Sequence, residues 1–165
     1  MTPPSEGFLP TGEYLRLAEN TGFFRPPEIE ILEEVIFDYR KAPNTDYFFF
    51  EEREGEQLAG FIIFGRIPLT DFGWDIYWLA VDKELQGKGV GRRLLARTEQ
   101  FILGINNKAI LRIETSAKTQ YEATRNFYRR TGFSEAGYIP DFYTDGDGLL
   151  NYHKIIGGNK RTTPA

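Results

Sequence analysis

Glycine recurs at every second position between Gln86 and Gly91, where the sequence reads Gln-Gly-Lys-Gly-Val-Gly. An apolar run at residues 74–81 precedes this stretch and an amphipathic run at residues 92–105 follows it, which predicts a strand, a turn and a helix. Such a turn presents backbone N–H groups at the positive end of a helix, where a phosphate group binds. The sequence therefore predicts a phosphate site at Gln86, Gly87, Lys88, Gly89, Val90, Gly91 and Arg92.

Two common nucleotide-binding motifs do not fit this stretch. The dinucleotide motif G-x-G-x-x-G, if it began at Gly87, would need a third glycine where Arg92 stands. The P-loop motif, aligned on Gly87 and Lys88, would need its first glycine at Asp82 and a hydroxyl residue at Gly89. Both mismatches argue against a nicotinamide dinucleotide and against a nucleoside triphosphate.

The composition argues against several other classes of protein. The 165 residues include no cysteine and one histidine, which excludes a cysteine nucleophile and argues against zinc, so no metal is expected. The net charge of −4, without basic stripes, argues against nucleic-acid binding. No apolar window reaches the length of a membrane span, and residues 1–6 lack the pattern of a signal peptide. We expect a single-domain cytoplasmic protein.

Hydrophobic periodicity predicts helices and strands around the turn, in an α/β (α+β) fold with helices on both faces of a sheet. Thr119 and Glu122 have the spacing of a capping box at the start of the last helix. A polar loop with Asp141, Asp145 and Asp147 is expected before the last strand. Residues 1–10 and 157–165 are expected to be flexible. The predicted helices cover 11–20, 26–42, 92–105 and 119–132, and the predicted strands cover 47–52, 58–67, 74–81, 109–115, 133–138 and 149–156.

Three segments together resemble the GNAT family of N-acetyltransferases. Gln86, Gly89 and Gly91 match the pattern Q/R-x-x-G-x-G/A, with which that family holds the pyrophosphate of coenzyme A. Residues 74–82 resemble the family strand that ends in an apolar-Ala-Val-Asp run, and residues 127–133 resemble its F/Y-Y-x-x-x-G-F motif. The order and spacing agree over residues 46–156. The family usually begins with a strand before its first helix, which only Phe8 and Leu9 could supply here.

The resemblance implies a mixed sheet in which two strands splay apart, with acetyl-coenzyme A as the cofactor. Its pantetheine arm would lie between the splayed strands. Backbone N–H groups near Leu79, Ala80 and Val81 would bind the acyl oxygen there.

The resemblance also gives Tyr128 the role of the acid that protonates the departing thiolate. Adjacent helical residues are about 100° apart, so we expect Phe127 to pack in the core while Tyr128 faces the cofactor with Tyr121 and Thr124. The family often has asparagine at the position of Tyr121, so that contact differs in this chain. Taken by itself, Tyr128 is equally consistent with a half-buried packing residue.

Asp75 is the candidate for the base, because the family's histone-acetylating branch has its catalytic glutamate at the corresponding strand position. Glu114, on the next predicted strand, is the weaker alternative. A carboxylate near the site would also attract an amine that is protonated at neutral pH. Each of these side chains is equally consistent with a plain structural role, such as pairing with Arg112.

The acceptor pocket is expected to combine acidic and aromatic side chains, which suits a cationic amine. The residues expected to form this pocket are equally consistent with a plain structural role in a polar turn and a strand. We expect an N-acetyltransferase acting on a primary amine of a small molecule or a protein; the alternative is a non-catalytic acyl-coenzyme A sensor. The sequence leaves open whether another acyl donor is used and whether the protein forms a homodimer. The expected pocket residues are Tyr77, Trp78, Glu114, Asp141, Phe142 and Tyr143.

Overall fold

The computed structural model describes residues 8–158. Within this range the chain forms six strands, four α-helices and two short 3-10 helices, Lys83–Leu85 and Thr119–Tyr121. The helices are α1 (Thr11–Thr21), α2 (Pro26–Lys41), α3 (Val90–Leu103) and α4 (Glu122–Arg130). The strands are β1 (Phe48–Glu54), β2 (Gln57–Arg66), β3 (Gly73–Val81), β4 (Lys108–Ser116), β5 (Ser134–Thr144) and β6 (Asp147–Gly157).

The strands form a mixed sheet in the order β1-β2-β3-β4-β6-β5. β3 and β4 are parallel, and their register consists of three pairs: Gly73 with Ile110, Trp74 with Leu111, and Asp75 with Arg112. The pairs β1–β2, β4–β6 and β5–β6 are antiparallel. A six-stranded mixed sheet with four helices confirms the predicted α/β class.

The chain divides into two compact units, and the division falls within β3. The first unit contains residues 8–66 and Ile76–Arg97, and the second contains Ile67–Asp75 and residues 98–158. The first unit therefore holds α1, α2, β1, β2, the last six residues of β3 and the start of α3. The second holds the start of β3, the end of α3 and all later elements.

The core of the first unit is an apolar face of two helices packed on two strands. Tyr14 of α1 lies edge-on to Phe49 of β1 and Phe61 of β2, with ring centroids 5.1 and 5.5 Å away. The Tyr14 hydroxyl donates a hydrogen bond to Glu51. α2 begins at two prolines, and the Glu28 carboxylate accepts a hydrogen bond from the Arg25 backbone N–H at 2.7 Å.

The second unit is built around β4 and β6, and alternate residues of β4 are buried from Ala109 to Ile113. Leu111 and Ile113 of β4 are almost fully buried, as is Tyr152 of β6, which pairs directly with Ile113. Tyr128 of α4 and Phe133, directly before β5, complete this core, with ring centroids 5.8 Å apart and the Tyr128 ring 6.0 Å from that of Tyr152. The intervening residues of β4, Ile110, Arg112 and Glu114, are exposed, as the twofold period of a strand requires.

Two predictions about local structure need correction. α4 begins at Glu122 after a 3-10 turn, and Thr119 makes no cap, so the predicted capping box is wrong. The predicted polar loop is part of a hairpin, because β5 continues to Thr144 and β6 begins at Asp147. The family's first strand, which only Phe8 and Leu9 could supply, is not formed by residues 8–10, in agreement with the expectation that it is missing or very short. Residues 1–7 and 159–165, expected to be flexible, lie outside the described range.

Gly60 of β2 lies at a tightly packed position of the first unit. A Cβ atom at this position would lie 2.8 Å from the Ala80 carbonyl oxygen of β3, 3.0 Å from Val90 and 3.2 Å from Leu94 of α3. The first distance is shorter than real Cβ contacts allow, and its partner is backbone, which cannot rotate away. The absence of a side chain at Gly60 therefore lets the end of β3 and the start of α3 approach β2.

We expect Gly60→Val to lower the free energy of unfolding by about 2 kcal/mol or more, because the added side chain must push β3 or α3 away from β2. Urea denaturation measures this change. Gly12→Ala is the control, since Gly12 lies in α1 and no other described residue comes within 4 Å of its Cβ position. That change should be neutral or slightly stabilising. Equal stability of the two variants would contradict the packing argument.

Candidate functional site

The turn predicted to bind phosphate connects β3 to α3 within the first unit. Asp82 caps the 3-10 helix Lys83–Leu85 through its side chain, which accepts a hydrogen bond from the Glu84 N–H at 2.9 Å. Gly87 and Gly89 then adopt left-handed backbone angles, with φ of 78° and 85°. Residues with a Cβ avoid this region, so glycine at these two positions is what allows the turn.

The turn ends as the N-terminus of α3. The Arg93 N–H donates to the Gly89 carbonyl oxygen at 3.0 Å, which places Gly89 at the cap and Val90 as the first helical residue. The N–H groups of the first helical turn have no acceptor within the helix. They carry the positive end of the helix dipole. The backbone here can therefore donate several hydrogen bonds to an anion.

Side chains add positive charge at the turn. Lys88 and Arg92 are exposed, and neither forms an ion pair within residues 8–158. Arg93, which the sequence did not single out, bonds the Lys88 carbonyl oxygen at 3.2 Å and pairs with Glu52 at 2.9 Å. The one sequence signal for Arg93 is its position four residues after Gly89, which places it beside the turn on the predicted helix. Arg93 thus ties the turn to β1 and leaves the charges of Lys88 and Arg92 available.

Gln86 and the end of β3 are held by local hydrogen bonds. The Gln86 side-chain amide donates to the Val81 carbonyl oxygen at 3.3 Å, and the Asp82 N–H donates to Ala59 of β2 at 2.8 Å. Ala80 is buried, whereas Leu79 and Val81 are half-buried. The glycine turn and the predicted acyl-oxygen site at residues 79–81 therefore lie in one unit.

The two aromatic residues before this segment differ in their surroundings. Trp78 packs against the core of the first unit, so at least part of its ring has a structural role. Tyr77 is 40% exposed, and its ring lies 5.5 Å from that of Tyr47. Of the two predicted pocket residues, Tyr77 is the more accessible.

Asp75 of β3 belongs to the second unit and is paired there. Its two carboxylate oxygens accept hydrogen bonds from Arg112 of β4 at 2.7 and 2.9 Å. This two-point geometry is the strongest arrangement available to the pair, and only 18% of the Asp75 side chain is exposed. To accept a proton, Asp75 must give up part of its contact with Arg112.

Glu114 is two residues beyond Arg112 on β4, on the same face of the strand. It is exposed and lies directly opposite Asn151 of β6. Its carboxylate has no hydrogen-bond or ion-pair partner among residues 8–158. The structure thus separates the two candidate bases: one carboxylate is engaged by arginine, and the other is free to interact with a substrate.

The burial of Phe127 and Tyr128 is the reverse of the prediction that Phe127 packs in the core. Tyr128 is 7% exposed, whereas Phe127 is only partly buried, so Tyr128 rather than Phe127 is the more buried residue. Its ring contacts those of Phe127, Phe133 and Tyr152. Burial raises the pKa of the Tyr128 hydroxyl well above its ordinary value, which holds the proton on the oxygen at neutral pH. Tyr121, directly before α4, and Thr124 are both half-buried.

The predicted acceptor residues of the 139–147 region lie on a hairpin. Asp141 has a left-handed backbone, with φ of 53°, and its carboxylate accepts the Gly146 N–H at 2.7 Å, which closes the tip. Phe142 is 52% exposed and lies edge-on to Tyr143 at 5.2 Å. The hairpin therefore presents one aromatic side chain and one carboxylate that is partly engaged by its own backbone.

A buried polar group at the end of β4 was not found from the sequence. The Ser116 hydroxyl donates to the Asp147 carboxylate at 2.5 Å, and Arg125 of α4 donates to the Ser116 and Lys118 carbonyl oxygens, each at 2.8 Å. Asp147 and Arg125 are both buried. The sequence predicted Asp147 in a polar loop, because the run Asp-Gly-Asp at residues 145–147 has the composition of a turn.

The comparison with protein families identifies the chain. Residues 43–135, more than half of the chain, match the model of the acetyltransferase (GNAT) domain. The chain therefore belongs to the GNAT family of acetyltransferases. Within residues 8–158, no helix combines the length and apolar character needed to cross a bilayer, and no group of three or more acidic or histidine side chains is placed to hold a metal ion.

Two curated relatives are similar over part of their length. N-alpha-acetyltransferase RimI of Mycobacterium tuberculosis is 30% identical over 103 residues, which are 62% of this chain and 60% of the relative. The uncharacterized N-acetyltransferase MJ1530 of Methanocaldococcus jannaschii is 31% identical over 109 residues, 66% of this chain and 64% of the relative. The match thus spans less than two thirds of either relative.

Solved structures share the fold over most of the chain. A protein from Desulfovibrio desulfuricans, assigned to the GNAT family of acetyltransferases, is 33% identical with a TM-score of 0.82, covering 88% of this chain and 92% of that one. An aminoglycoside 6'-N-acetyltransferase solved with coenzyme A is 18% identical with a TM-score of 0.69, covering 90% of this chain and 92% of that one. The second similarity concerns the fold alone.

Burial of Tyr128 predicts a loss of stability at high pH. The unfolded chain ionises this tyrosine near pH 10, while the folded protein retains the proton, so the free energy of unfolding falls as pH rises above about 10. Tyr128→Phe should remove up to about 1 kcal/mol of that loss per pH unit. Urea midpoints between about pH 8 and pH 11 measure it. Tyr138→Phe, at an exposed tyrosine, is the control; equal slopes for the two variants would contradict the prediction.

Proposed function

We propose that the chain transfers an acetyl group from acetyl-coenzyme A directly to a primary amine. The observation that carries this proposal is the turn before α3, where two left-handed glycines precede unpaired helix N–H groups. Membership of the GNAT family supports the reaction class. The names of the relatives refer to N-acetyl transfer, to an alpha-amino group in one case and to an aminoglycoside in another.

The residues of the turn fit the pyrophosphate of coenzyme A. A Cβ atom at Gly89 would lie 3.1 Å from Arg93 Nη1, which would have to shift slightly, while none of residues 8–158 comes within 4 Å of the Cβ position of Gly87. We infer that the N–H groups of residues 87–92 bind the phosphates and that Lys88 and Arg92 balance their charge. Backbone N–H groups at residues 79–81 would hold the acyl oxygen.

Acetyl-coenzyme A supplies an acetyl group that is activated as a thioester. In the proposed reaction a C–N bond to the acceptor forms, the C–S bond breaks, and the amine gives up a proton. Tyr128 holds a proton at Oη and donates it to the sulfur of the leaving group. Burial keeps that proton in place until a thiolate develops, because a neutral phenol is favoured in apolar surroundings.

Two carboxylates remain candidates for the proton from the amine. Two guanidinium nitrogens of Arg112 donate hydrogen bonds to the Asp75 carboxylate, so protonation of Asp75 would weaken that pair. Glu114 has no such partner within the described part of the chain, and it is exposed on the same face of β4 as Arg112. We favour Glu114 for the base and assign Asp75 to fixing Arg112 and the start of β3, while either carboxylate attracts a cationic acceptor.

The acceptor is proposed to be an amine that is cationic before reaction. Tyr77 of the first unit offers an accessible aromatic face, and in the second unit Phe142 does the same beside Asp141. Aromatic faces and carboxylates both stabilise ammonium groups. The proposal includes small-molecule amines and protein amino groups.

Gly89→Glu should abolish acetyl-coenzyme A binding, because the change places a carboxylate beside the phosphates and forces a side chain onto a left-handed backbone. Isothermal titration calorimetry measures the binding. Gly55→Glu is the matched control. Gly55 has a φ of 61° in the β1–β2 turn, and no described residue comes within 4 Å of its Cβ position. The substitution there adds the same charge and the same backbone penalty away from the phosphate site. Retained binding in a folded Gly89→Glu protein would contradict the phosphate site.

Tyr128→Phe should lower turnover by about a hundredfold or more while acetyl-coenzyme A affinity stays nearly unchanged, since a proton donor is lost but no cofactor contact. Thiol release from acetyl-coenzyme A, screened against a panel of amines, measures turnover. Tyr39→Phe, at another buried tyrosine, should leave it unchanged. Equal turnover of the Tyr128→Phe variant and the wild type across the pH range would exclude the acid role. Binding without amine-dependent thiol release in the wild type would favour the sensor alternative.

A further inference from the structure

The two groups proposed to move protons in acetyl transfer lie on different elements of the second unit. Glu114 lies near the C-terminal end of β4, and Tyr128 lies on α4. The connecting segment 117–121 includes only one 3-10 turn. An acid and a base serve one reaction only when both reach the same substrate. The contacts that fix α4 to the end of β4 therefore affect the proposed reaction.

Arg125 of α4 connects the helix directly to the end of β4. Its Nη1 donates a hydrogen bond to the Ser116 carbonyl oxygen and another to the Lys118 carbonyl oxygen, each at 2.8 Å. Ser116 is the last residue of β4, two positions after Glu114. Arg125 precedes Tyr128 by three positions, so the two side chains share one side of α4, and both are buried. One guanidinium nitrogen thus links the strand that carries Glu114 to the helix that carries Tyr128.

The strand end to which this arginine binds is itself held by β6. The Ser116 hydroxyl donates to the Asp147 carboxylate at 2.5 Å, and the hydroxyl oxygen accepts the Lys118 N–H at 3.1 Å. Between them, the Ala117 N–H donates to the Gly148 carbonyl oxygen at 2.8 Å. The two carbonyl groups that accept from the arginine are therefore fixed in place by contacts of their own.

Packing alone does not account for a buried arginine at position 125. A buried guanidinium group gives up its hydration, and an apolar side chain of similar volume would pack α4 without that cost. Apolar contacts have no preferred direction, whereas a hydrogen bond fixes both a distance and an angle. The two hydrogen bonds of Arg125 therefore determine how α4 is oriented on the strand end.

We propose that Arg125 is a positioning residue for acetyl transfer, which fixes α4 to the end of β4 and thereby sets the Tyr128 hydroxyl relative to Glu114. This inference rests on the proposed function, because it takes Tyr128 as the acid and Glu114 as the base. In this role Arg125 acts through Tyr128 and transfers no proton itself.

Arg125→Met tests the role, because methionine keeps an unbranched apolar stem but donates no hydrogen bond. We expect kcat for amine-dependent thiol release to fall by about tenfold or more. The KM for acetyl-coenzyme A should change by less than about threefold, since residues 87–92 supply the proposed phosphate contacts. Arg125→Lys retains a donor and should recover part of the turnover. Arg130→Met, at an exposed arginine of α4, is the matched control and should turn over as the wild type does.

A double variant separates positioning from a general loss of packing. In the Tyr128→Phe background, Arg125→Met should lower turnover by less than about twofold, because the group that it positions is already absent. A purely structural change would lower turnover by the same factor in both backgrounds. Equal factors would overturn the proposal, and so would wild-type turnover in Arg125→Met.

An NMR measurement follows the position of Tyr128 without any turnover. Protein labelled at tyrosine Cζ gives a signal for each of the nine tyrosines, and the signal missing in Tyr128→Phe belongs to Tyr128. Arg125→Lys should move this signal, and Arg130→Lys should not. An unmoved signal would overturn the positioning role, also where Arg125→Met does not fold.

The two proposals fail in different ways. Wild-type protein that binds acetyl-coenzyme A but releases no thiol with any amine would contradict the proposed function, and the role of Arg125 in acetyl transfer would fall with it. Normal turnover in the wild type with equal factors in the two backgrounds would leave the proposed function standing and overturn the positioning role alone.

Discussion

At Gly60 the backbone of β2 comes so close to the Ala80 carbonyl oxygen and to the first turns of α3 that no side chain fits between them. This steric constraint sets where β3 ends and where α3 begins. The glycine turn spans the short gap that remains, in which Asp82, one turn of 3-10 helix and Gln86 precede the left-handed Gly87. The direction of the α3 N–H groups, and therefore the proposed phosphate site, depends on this close packing.

A second fixed point is the pair of Asp75 and Arg112. It joins the last registered residues of the parallel β3–β4 contact, where the chain also passes from one compact unit to the other. A bidentate carboxylate–guanidinium pair resists rotation of either side chain. The pair thus defines the end of β3–β4 pairing, which gives Asp75 a structural reason to be aspartate even if it takes no proton.

The strand, turn and helix around the glycines could be predicted because each leaves a local signal: an apolar run, left-handed glycines and helical periodicity. Other features depend on contacts that are distant in sequence. Phe127 and Tyr128 are 100° apart on any helix, but which one is buried depends on Tyr152 and Phe133, which no local pattern reveals. Thr119 had the spacing of a cap, yet the carbonyl groups of residues 116 and 118 are engaged by Arg125, and a 3-10 turn precedes α4.

The same limit applies to the site. The phosphate-binding turn could be predicted because its left-handed backbone requires glycine, so the glycines in the sequence indicate the turn directly. The candidate bases were not separable, since Asp75 and Glu114 differ in whether an arginine contacts them, and Arg112 comes into contact with Asp75 only through the parallel strand pairing. The contacts of Arg125 gave no signal at all, because a backbone carbonyl group accepts a hydrogen bond whatever its residue type.

β5 lies at one edge of the sheet, and its outer part is irregular. Its register with β6 breaks between Ile139 and Thr144, where Pro140 lacks an N–H and Asp141 has a left-handed backbone. An exposed strand edge invites another chain to add a strand, and proline and bulges are the usual protection against it. This edge therefore resists intermolecular strand addition and the aggregation that it starts. The hairpin tip can expose its aromatic side chain without offering a regular row of backbone hydrogen-bonding groups to another chain.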